Sequence, residues 1–224
     1  MIKKILSKIF NKKKTSTEYI EELKRGGVEV GKGTYFYVPD SCYIDVSKGK
    51  YIKIGNNCQI TRGVIILAHD YSYSILNDVY GEMLQNTAMT TIGNNVFIGM
   101  NSIILMGATI GDNAIIGAGA VVSGKVESNS VYAGNPAKRI CSLDEFYQKR
   151  KERFESSAVM QAKRIKEVTG RNPTTEEMEY YAQLFEKKTE TYMRMESRLG
   201  KAPRKIPVSL KYSSLDEFIK EKNI

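Results

Sequence analysis

The sequence predicts a mainly β protein, a parallel β-helix with helical segments at both ends, and three observations predict it. An aliphatic residue returns at every sixth position: Ile92, Ile98, Ile104, Ile110, Ile116 and Val122. Gly, Asn or Asp follows several of these residues, and a small or branched residue fills the fifth place of each hexad. A helix needs apolar spacings of three and four, so each hexad is a short strand plus a corner. Such coils bury their apolar residues by stacking on one another.

The repeat tract runs from about residue 30 to about residue 127. The same six-residue period is found from Ile66 towards the N-terminus. Counting back from Ile66 in sixes reaches Cys42, Phe36 and Val30, with Lys48 the one poor member. The fifth-place residues point inward in this phase: Val96, Ser102, Ala108, Ala114, Ala120 and Val126. Asn113 then lies at a surface corner, where Asn113→Lys costs at most about 0.5 kcal/mol provided that no positive φ is required.

Helical segments are predicted before and after the repeats, which gives three regions: 1–29, 30–140 and 141–224. Residues 1–14 place five apolar side chains on one helical face and lysines elsewhere. This pattern suits peripheral contact with an anionic membrane, and equally a helix packed on its own or a neighbouring subunit. Helix starts with capping-box spacing follow the repeats at Ser142, Thr174 and Ser214; the second helix is expected to end near Gly200.

Composition excludes several classes of protein. No run approaches the roughly 18 apolar residues of a spanning helix. Net charge is +5 over residues 1–26, zero over 27–140 and +4 over 141–224, so the core carries no basic groove and no nucleic-acid partner is expected. Three widely spaced cysteines and an opening unlike a signal peptide indicate a cytoplasmic protein, peripheral at the inner membrane face if residues 1–14 bind lipid.

The repeat phase breaks once, and the break contains the chain's only histidine. Ile66 and Ile92 are separated by two residues more than four hexads, and a Tyr-rich loop of about residues 70–91 lies between them, with His69 at its root. An imidazole is neutral near pH 7 and can accept a proton from an acceptor hydroxyl as a new bond forms. One histidine and no paired cysteines make a metal site unexpected.

Residues 92–140, which contain IGNNVFIGMNSIIL and, near their end, Asn135-Pro136-Ala137-Lys138, resemble the hexapeptide-repeat acyltransferases. The galactoside, maltose and xenobiotic acetyltransferases are the most similar group, and Gly81-Glu82-Met83 resembles part of their active-site loop. The resemblance implies a left-handed β-helix, a homotrimer with active sites between subunits, and acetyl-CoA as donor. Handedness and trimer follow from the resemblance alone.

The resemblance also implies roles for individual residues. His69 is the catalytic base, and Asp70 orients it, with Asp45 and Glu82 as alternatives. Apart from the resemblance, Tyr71, Tyr73 and Tyr80 have rings that can present faces to a sugar acceptor, although tyrosines suit trimer packing equally well. Glu82 is a further expected acceptor contact. The coenzyme contacts are Met100, Ala118, Ser123, Gly124 and Lys138. The family often has Thr-Lys where this chain has Ser123-Gly124, so the phosphate contacts are less secure than those to pantetheine.

The expected function is acetyl-CoA-dependent O-acetylation of a sugar hydroxyl, by direct transfer with His69 as general base. Residues 135–145 look like the corresponding segment of acetyltransferases associated with surface-polysaccharide synthesis. Two alternatives stay open: a xenobiotic or amino-sugar N-acetyltransferase, and a non-enzymatic β-helix scaffold that docks on membrane or partners.

Overall fold

The computed structural model describes residues 13–185 and 211–224. It divides into two compact units, Met1–Phe146 and Tyr147–Ile224. Residues 1–12, which form most of the predicted amphipathic helix, lie outside the described residues. The helices that the structure describes are α1 (Ser16–Arg25), α2 (Tyr73–Tyr80), α3 (Leu143–Thr169) and α4 (Leu215–Glu221), with 3₁₀ helices at Pro39–Ser41, Val46–Tyr51 and Glu179–Leu184.

Three parallel sheets form the first unit, and the chain visits them in turn. Sheet 1 contains β1 (Glu29–Val30), β4 (Ile52–Ile54), β7 (Thr90–Ile92), β10 (Thr109–Ile110) and β13 (Lys125–Val126). Sheet 2 contains β2 (Tyr35–Phe36), β5 (Gln59–Ile60), β8 (Phe97–Ile98), β11 (Ile115–Ile116), β14 (Ser130–Ala133) and β15 (Lys138–Ser142). Sheet 3 contains β3 (Tyr43–Ile44), β6 (Ile65–Ile66), β9 (Ile103–Ile104) and β12 (Val121–Val122). From β1 to β14 every third strand joins the same sheet with parallel pairing, as a three-sided parallel β-helix requires, whereas β15 adds to sheet 2 as an antiparallel strand.

The hexad isoleucines stack in register, as the sequence predicts. Ile92 pairs with Ile110, Ile98 with Ile116 and Ile104 with Val122, so one coil takes three hexads. These side chains are almost completely buried, and so are the fifth-place residues beside them. Each buried isoleucine contributes roughly 2 kcal/mol of transfer free energy, and together they make one continuous core.

The predicted phase is wrong in the first coil. Ile44, and not Cys42, is the buried residue of β3 and pairs with Ile66. The 3₁₀ helix Pro39–Ser41 moves the strand two residues along the chain, and Lys48 lies in the next 3₁₀ helix, Val46–Tyr51. A hexad count cannot register these insertions, because the residues that form them are neither apolar nor periodic.

The corner between sheets 1 and 2 contains a ladder of asparagines in the left-handed conformation. Asn57, Asn95, Asn113 and Asn129 all have φ between 54° and 59°. The Asn95 amide donates to Asn113 Oδ1 at 3.0 Å, and the Asn113 amide donates to Asn129 Oδ1 at 2.9 Å. The expected small cost of Asn113→Lys is therefore wrong, because it assumed that no positive φ is required at residue 113. This residue has both a positive φ and a hydrogen-bonded side-chain amide.

We expect Asn113→Lys to lower the free energy of unfolding by about 1–3 kcal/mol, because a lysine there adopts a left-handed conformation and breaks two hydrogen bonds. Asn113→Gly keeps the backbone conformation but loses the same hydrogen bonds, so its melting temperature lies between those of Asn113→Lys and the wild type. Ala114→Leu, at a fully buried neighbour, provides a core comparison with a similar overpacking cost of about 1–3 kcal/mol. A glycine variant that melts below the lysine variant contradicts the backbone argument.

Helix α1 covers the first coil. The Thr15 side chain accepts from the Glu18 backbone N–H in a capping box, and Leu23 is buried in the coil core. Ser16 Oγ accepts the backbone N–H of Phe36 at 2.9 Å, and the Tyr19 ring meets the Phe36 ring edge to face at 5.0 Å. The helix therefore satisfies an N–H donor of a terminal strand as well as burying apolar surface.

The last coil is covered by chain that turns back on it. β15 pairs antiparallel with β14, and it extends past residue 140, where the sequence analysis ends the repeat domain. The backbone of Val121 donates to Gly134 and accepts from Ala137, which closes the end of sheet 3. The first unit then ends at Phe146.

The second unit has a small core of its own. Its buried side chains come from α3, from the 3₁₀ helix Glu179–Leu184 and its two flanking residues, and from α4 and the segment before it: Ala158, Ala162, Met178, Leu184, Phe185, Tyr212, Phe218 and Ile219. Glu155 accepts hydrogen bonds from Lys211, Lys222 and Tyr212, which lower its pKa to about 2. Ser142 and Ser214 cap α3 and α4. None of the helices in the described parts of the chain has the length and apolar character to cross a bilayer.

The helix predicted from Thr174 differs in the structure. Thr174 and Glu177 form the predicted reciprocal hydrogen bonds, but a turn follows and leads into the 3₁₀ helix Glu179–Leu184. The remainder of that prediction, residues 186–200, falls outside the described residues.

Candidate active site

His69 lies at the corner between sheets 3 and 1, three residues after Ile66 of β6. The predicted loop leaves the coil here and returns to it at the same place. His69 forms an antiparallel bridge with Thr87, and the Ala88 N–H donates to the Ala68 carbonyl at 3.1 Å. Both ends of the loop are thus joined at its root, which fixes the backbone of His69 on the coil.

Asp45 is the hydrogen-bond partner of the histidine. Its Oδ2 lies within hydrogen-bond distance of His69 Nδ1, one coil away at the same corner. The Asp45 N–H donates to the Ile66 carbonyl at 3.0 Å, so the strand pairing of β3 with β6 sets the position of the carboxylate. Because a carboxylate accepts, Nδ1 carries the proton in the neutral imidazole and Nε2 is left with a lone pair.

The Asp45 carboxylate is 1% exposed and depends on donors from the protein. Burial acts to raise its pKa, but hydrogen bonds from Ser47, from His69 and from the Ala68 N–H outweigh burial and lower the pKa below its ordinary value. Asp45 is therefore ionised near neutral pH and stabilises positive charge on the imidazole.

Asp70, the residue predicted to orient His69, has its hydrogen bonds to Ser72 in the structure. Asp70 Oδ1 accepts from the backbone N–H of Ser72 at 2.9 Å and from its hydroxyl at 2.5 Å, and these bonds lower the pKa of Asp70. Its carboxylate closes the turn that leads into α2. Adjacent residues on an extended chain point to opposite sides, which directs Asp70 away from the ring that Asp45 contacts.

Of the predicted acceptor residues, Tyr71 lies against the histidine and Tyr73 lies beside Tyr71. The Tyr71 ring meets the His69 ring edge to face at 4.6 Å, and the Tyr73 ring lies 6.2 Å from the Tyr71 ring. Tyr71 is 65% exposed, so most of its surface is available for contact. Glu82 is exposed, just beyond Gly81, the left-handed residue that ends α2.

Much of the loop is an exposed apolar surface. Helix α2 buries none of its side chains. The exposed apolar residues of the helix and its C-terminal flank, 58–73% exposed, are Ile75, Val79, Tyr80, Met83 and Leu84. An apolar patch of this kind, continuous along a loop, is typical of an interaction surface.

The five predicted coenzyme residues lie in three places. Met100 and Ala118 are exposed at the corner between sheets 2 and 3, where the Gly119 N–H donates to the Met100 carbonyl at 2.8 Å. Ser123 and Gly124 are exposed at the His69 corner, two coils further along, and Lys138 is exposed in β15. Sheet 3 separates the two corners by at most about 20 Å, the reach of six extended residues.

Lysine and arginine side chains lie only before and after the part of the sequence that contains the His69 loop and the coils that follow it. The sequence contains no Lys or Arg between Arg62 and Lys125. Lys125 and Lys138 are exposed, and Arg139 is paired with Glu127 at 3.2 Å. Within the described ranges, no three His, Cys, Asp or Glu side chains converge to hold a metal ion.

Comparison with known proteins identifies the family of the chain. A model of the bacterial transferase hexapeptide family, with six repeats, matches residues 89–124. CapG of Staphylococcus aureus is 42% identical over 129 residues, which are 58% of this chain and 74% of CapG. WbbJ of Escherichia coli (strain K12) carries the name of a lipopolysaccharide biosynthesis O-acetyl transferase. It is 30% identical over 121 residues, which are 49% of this chain and 61% of WbbJ.

A crystal structure of a maltose O-acetyltransferase from Clostridium difficile 630 is 26% identical, with a TM-score of 0.41 over 62% of this chain and 83% of that one. The fold and the matched relatives define an acyltransferase. The chain belongs to the hexapeptide-repeat transferase family, as its similarity to CapG establishes.

Sequence reasoning named Asp45 only as an alternative, and it missed Ser47. Asp45 directly follows Ile44, the strand residue that stacks on Ile66, and an acidic residue in this position was the available signal. The misplaced phase of the first coil concealed that signal, because it assigned the stacked position to Cys42. Nothing in the sequence pattern marks Ser47.

Proposed function

We propose that the protein transfers an acetyl group from acetyl-CoA to a sugar hydroxyl, in the synthesis of a surface polysaccharide. The observation that carries the proposal is the His69–Asp45 pair on a rigid coil, beside an exposed tyrosine. The names of the relatives support the acetyl group, and the name of WbbJ supports a polysaccharide acceptor.

The pair supplies what direct transfer needs. The acceptor hydroxyl attacks the thioester carbonyl carbon while His69 Nε2 takes its proton, and Asp45 stabilises the imidazolium that forms. The tetrahedral intermediate collapses, the carbon–sulfur bond breaks, and the imidazolium returns the proton to the thiolate. The products are an O-acetyl sugar and free coenzyme thiol, with no acyl-enzyme.

We propose a homotrimer whose active sites lie between copies, on left-handed coils as in the family. The division of the coenzyme residues supports this arrangement. Met100 and Ala118 lie one sheet width from His69 in the same chain, so a second copy that brings its Met100 corner against the first copy's His69 corner completes a site. The exposed apolar side chains of α2 provide surface for this contact. Sedimentation equilibrium is expected to give three times the chain mass.

The acceptor site is proposed to lie on the loop, with Tyr71 and Tyr73 presenting ring faces to a sugar and Glu82 accepting from its hydroxyls. Ser123, Gly124 and Lys138 are proposed coenzyme contacts, with Lys138 and Lys125 neutralising phosphate. These positions agree with the charge distribution, since the sequence contains no Lys or Arg from residue 63 to residue 124.

The experiment that tests the function measures thiol release from acetyl-CoA in the presence of candidate acceptors. We expect release with oligosaccharides that bear free hydroxyls, with the product identified as an ester by mass spectrometry and by its loss in mild base. Products stable to mild base identify amides and favour an amino-sugar or xenobiotic acceptor. Absence of coenzyme binding in calorimetry leaves the scaffold interpretation in its place.

We also propose that residues 1–14 contact an anionic membrane. Deleting them is expected to weaken binding to phosphatidylglycerol vesicles in co-sedimentation, while turnover on a water-soluble acceptor stays unchanged. Binding of the intact chain is expected to fall as salt rises, because lysines provide the attraction. Equal vesicle binding by both chains contradicts the membrane contact and favours packing between subunits.

A further inference from the structure

The buried Asp45 carboxylate has a distinct set of donors on each oxygen. Oδ2 faces His69 Nδ1 and the Ala68 N–H, the latter at 3.3 Å. Oδ1 accepts from Ser47 Oγ at 2.6 Å. Because the Asp45 side chain is completely buried, water does not replace the Ser47 hydroxyl if that hydroxyl is removed.

We propose that Ser47 is a positioning residue for the acyl-transfer reaction, which holds the Asp45 carboxylate in the rotation that supports His69. The proposal rests on the proposed function, since it assigns the pair to proton transfer. Ser47 does not touch the ring or the acceptor in this assignment; it acts only through Asp45.

Local structure explains why residue 47 reaches the carboxylate. Asp45 directly precedes the 3₁₀ helix Val46–Tyr51, and its carbonyl accepts from the Lys48 N–H at 3.2 Å. This turn carries Ser47 back over Asp45, so that an i to i+2 hydrogen bond forms. The bond fixes the carboxylate plane, and with it the direction of the oxygen that accepts from Nδ1.

Ser47 also tunes the charge of the pair. The hydroxyl that donates to Oδ1 stabilises the His69–Asp45 pair most when the imidazole is neutral, because the pair then carries a net negative charge. It stabilises the pair less when the imidazole is protonated. Removing that donor makes protonation of the pair easier and moves its titration to higher pH. The other titratable groups beside the pair are Tyr71, against the ring, and Asp70, held by Ser72.

The test uses the single histidine of the chain, whose ring resonances can be followed by NMR across pH without assignment. We expect the midpoint of this titration to lie at higher pH in Ser47→Ala than in the wild type, because the Asp45 carboxylate loses a donor. We also expect kcat to fall about tenfold with KM nearly unchanged, since one hydrogen bond to a charged group is lost. Ser47→Thr keeps the hydroxyl and is expected to restore both values.

Ser72→Ala is the matched control, because it removes the same kind of bond from Asp70, next to His69 in sequence. We expect its titration midpoint to equal that of the wild type. The positioning role is wrong if Ser47→Ala leaves the midpoint unmoved, or if Ser72→Ala and Ser47→Ala move it equally. The titration can be measured without turnover. If the midpoint shifts in Ser47→Ala but the protein transfers no acetyl group, the proposed function and the catalytic assignment are overturned. Ser47 then only holds the Asp45 carboxylate in place.

Discussion

Replacing His69 with alanine is expected to lower kcat for acetyl transfer by about 10²- to 10⁴-fold, the contribution of a positioned general base. His69→Asn is expected to lose as much. Its amide can still donate to Asp45 from nearly the position of Nδ1, but it has no group in place of Nε2. Initial rates of thiol release at saturating acetyl-CoA measure both effects, and coenzyme affinity is expected to change little.

The two variants separate loss of the base from loss of structure. His69→Ala leaves the buried Asp45 carboxylate without its ring partner and is expected to melt at a lower temperature, whereas His69→Asn keeps a donor and melts closer to the wild type. Activity of His69→Asn near the wild-type rate contradicts the assignment of Nε2 as base. Equal melting of the two variants contradicts the importance of the Asp45 contact for stability.

Asp45→Asn is expected to lower kcat by about 10²-fold or more, although the substitution changes the volume by almost nothing. An amide oxygen that faces Nδ1 and the Ala68 N–H keeps the hydrogen bond but carries no full negative charge, whereas an amide nitrogen there favours the tautomer with the proton on Nε2, which leaves no lone pair towards the acceptor. The imidazolium formed in the transition state also loses its counter-charge. Measurement of kcat and KM across pH distinguishes these effects from weaker substrate binding, which raises KM alone.

Asp70→Asn is the informative comparison, since sequence reasoning assigned the orienting role to Asp70. The Asp70 carboxylate is bound to Ser72 and not to His69. We therefore expect the loss of kcat in Asp45→Asn to exceed that in Asp70→Asn by at least about tenfold. The reverse order would return the orienting role to Asp70 and make the Asp45 contact a structural one.

The coils were predictable because each isoleucine repeats the same physical requirement six residues later. The hexads from Ile92 to Val122 were placed in the correct phase, and their neighbours Ala108, Ala114 and Ala120 are all buried. The phase failed at Cys42 because the 3₁₀ helix Pro39–Ser41 adds residues without any apolar signal. Periodicity therefore locates the core where the coils are uniform and loses it where they are interrupted.

The site was predictable only in part, for a related reason. His69 was found because a single histidine at a break in the repeats is conspicuous in the sequence. The contact of His69 with Asp45 joins residues in neighbouring coils. The number of residues between them depends on the exact length of the coil, and the six-residue count gave the wrong length for that coil. Helix α2, inside a segment read as a loop, has no buried face to produce a periodic signal.

The covers at the two ends of the coil stack determine how these molecules can associate. A stack of parallel coils presents open strand edges along its axis, and identical molecules can in principle continue each other's sheets without limit. Here Ser16 on α1 satisfies the N–H of Phe36 at one end, and β15 runs antiparallel across β14 at the other. These covers oppose growth along the axis at both ends of sheet 2, so we expect the proposed homotrimer to form through the sides of the coil. A contact through the sides forms a closed ring when the rotation between neighbouring copies closes, as it does in a threefold arrangement.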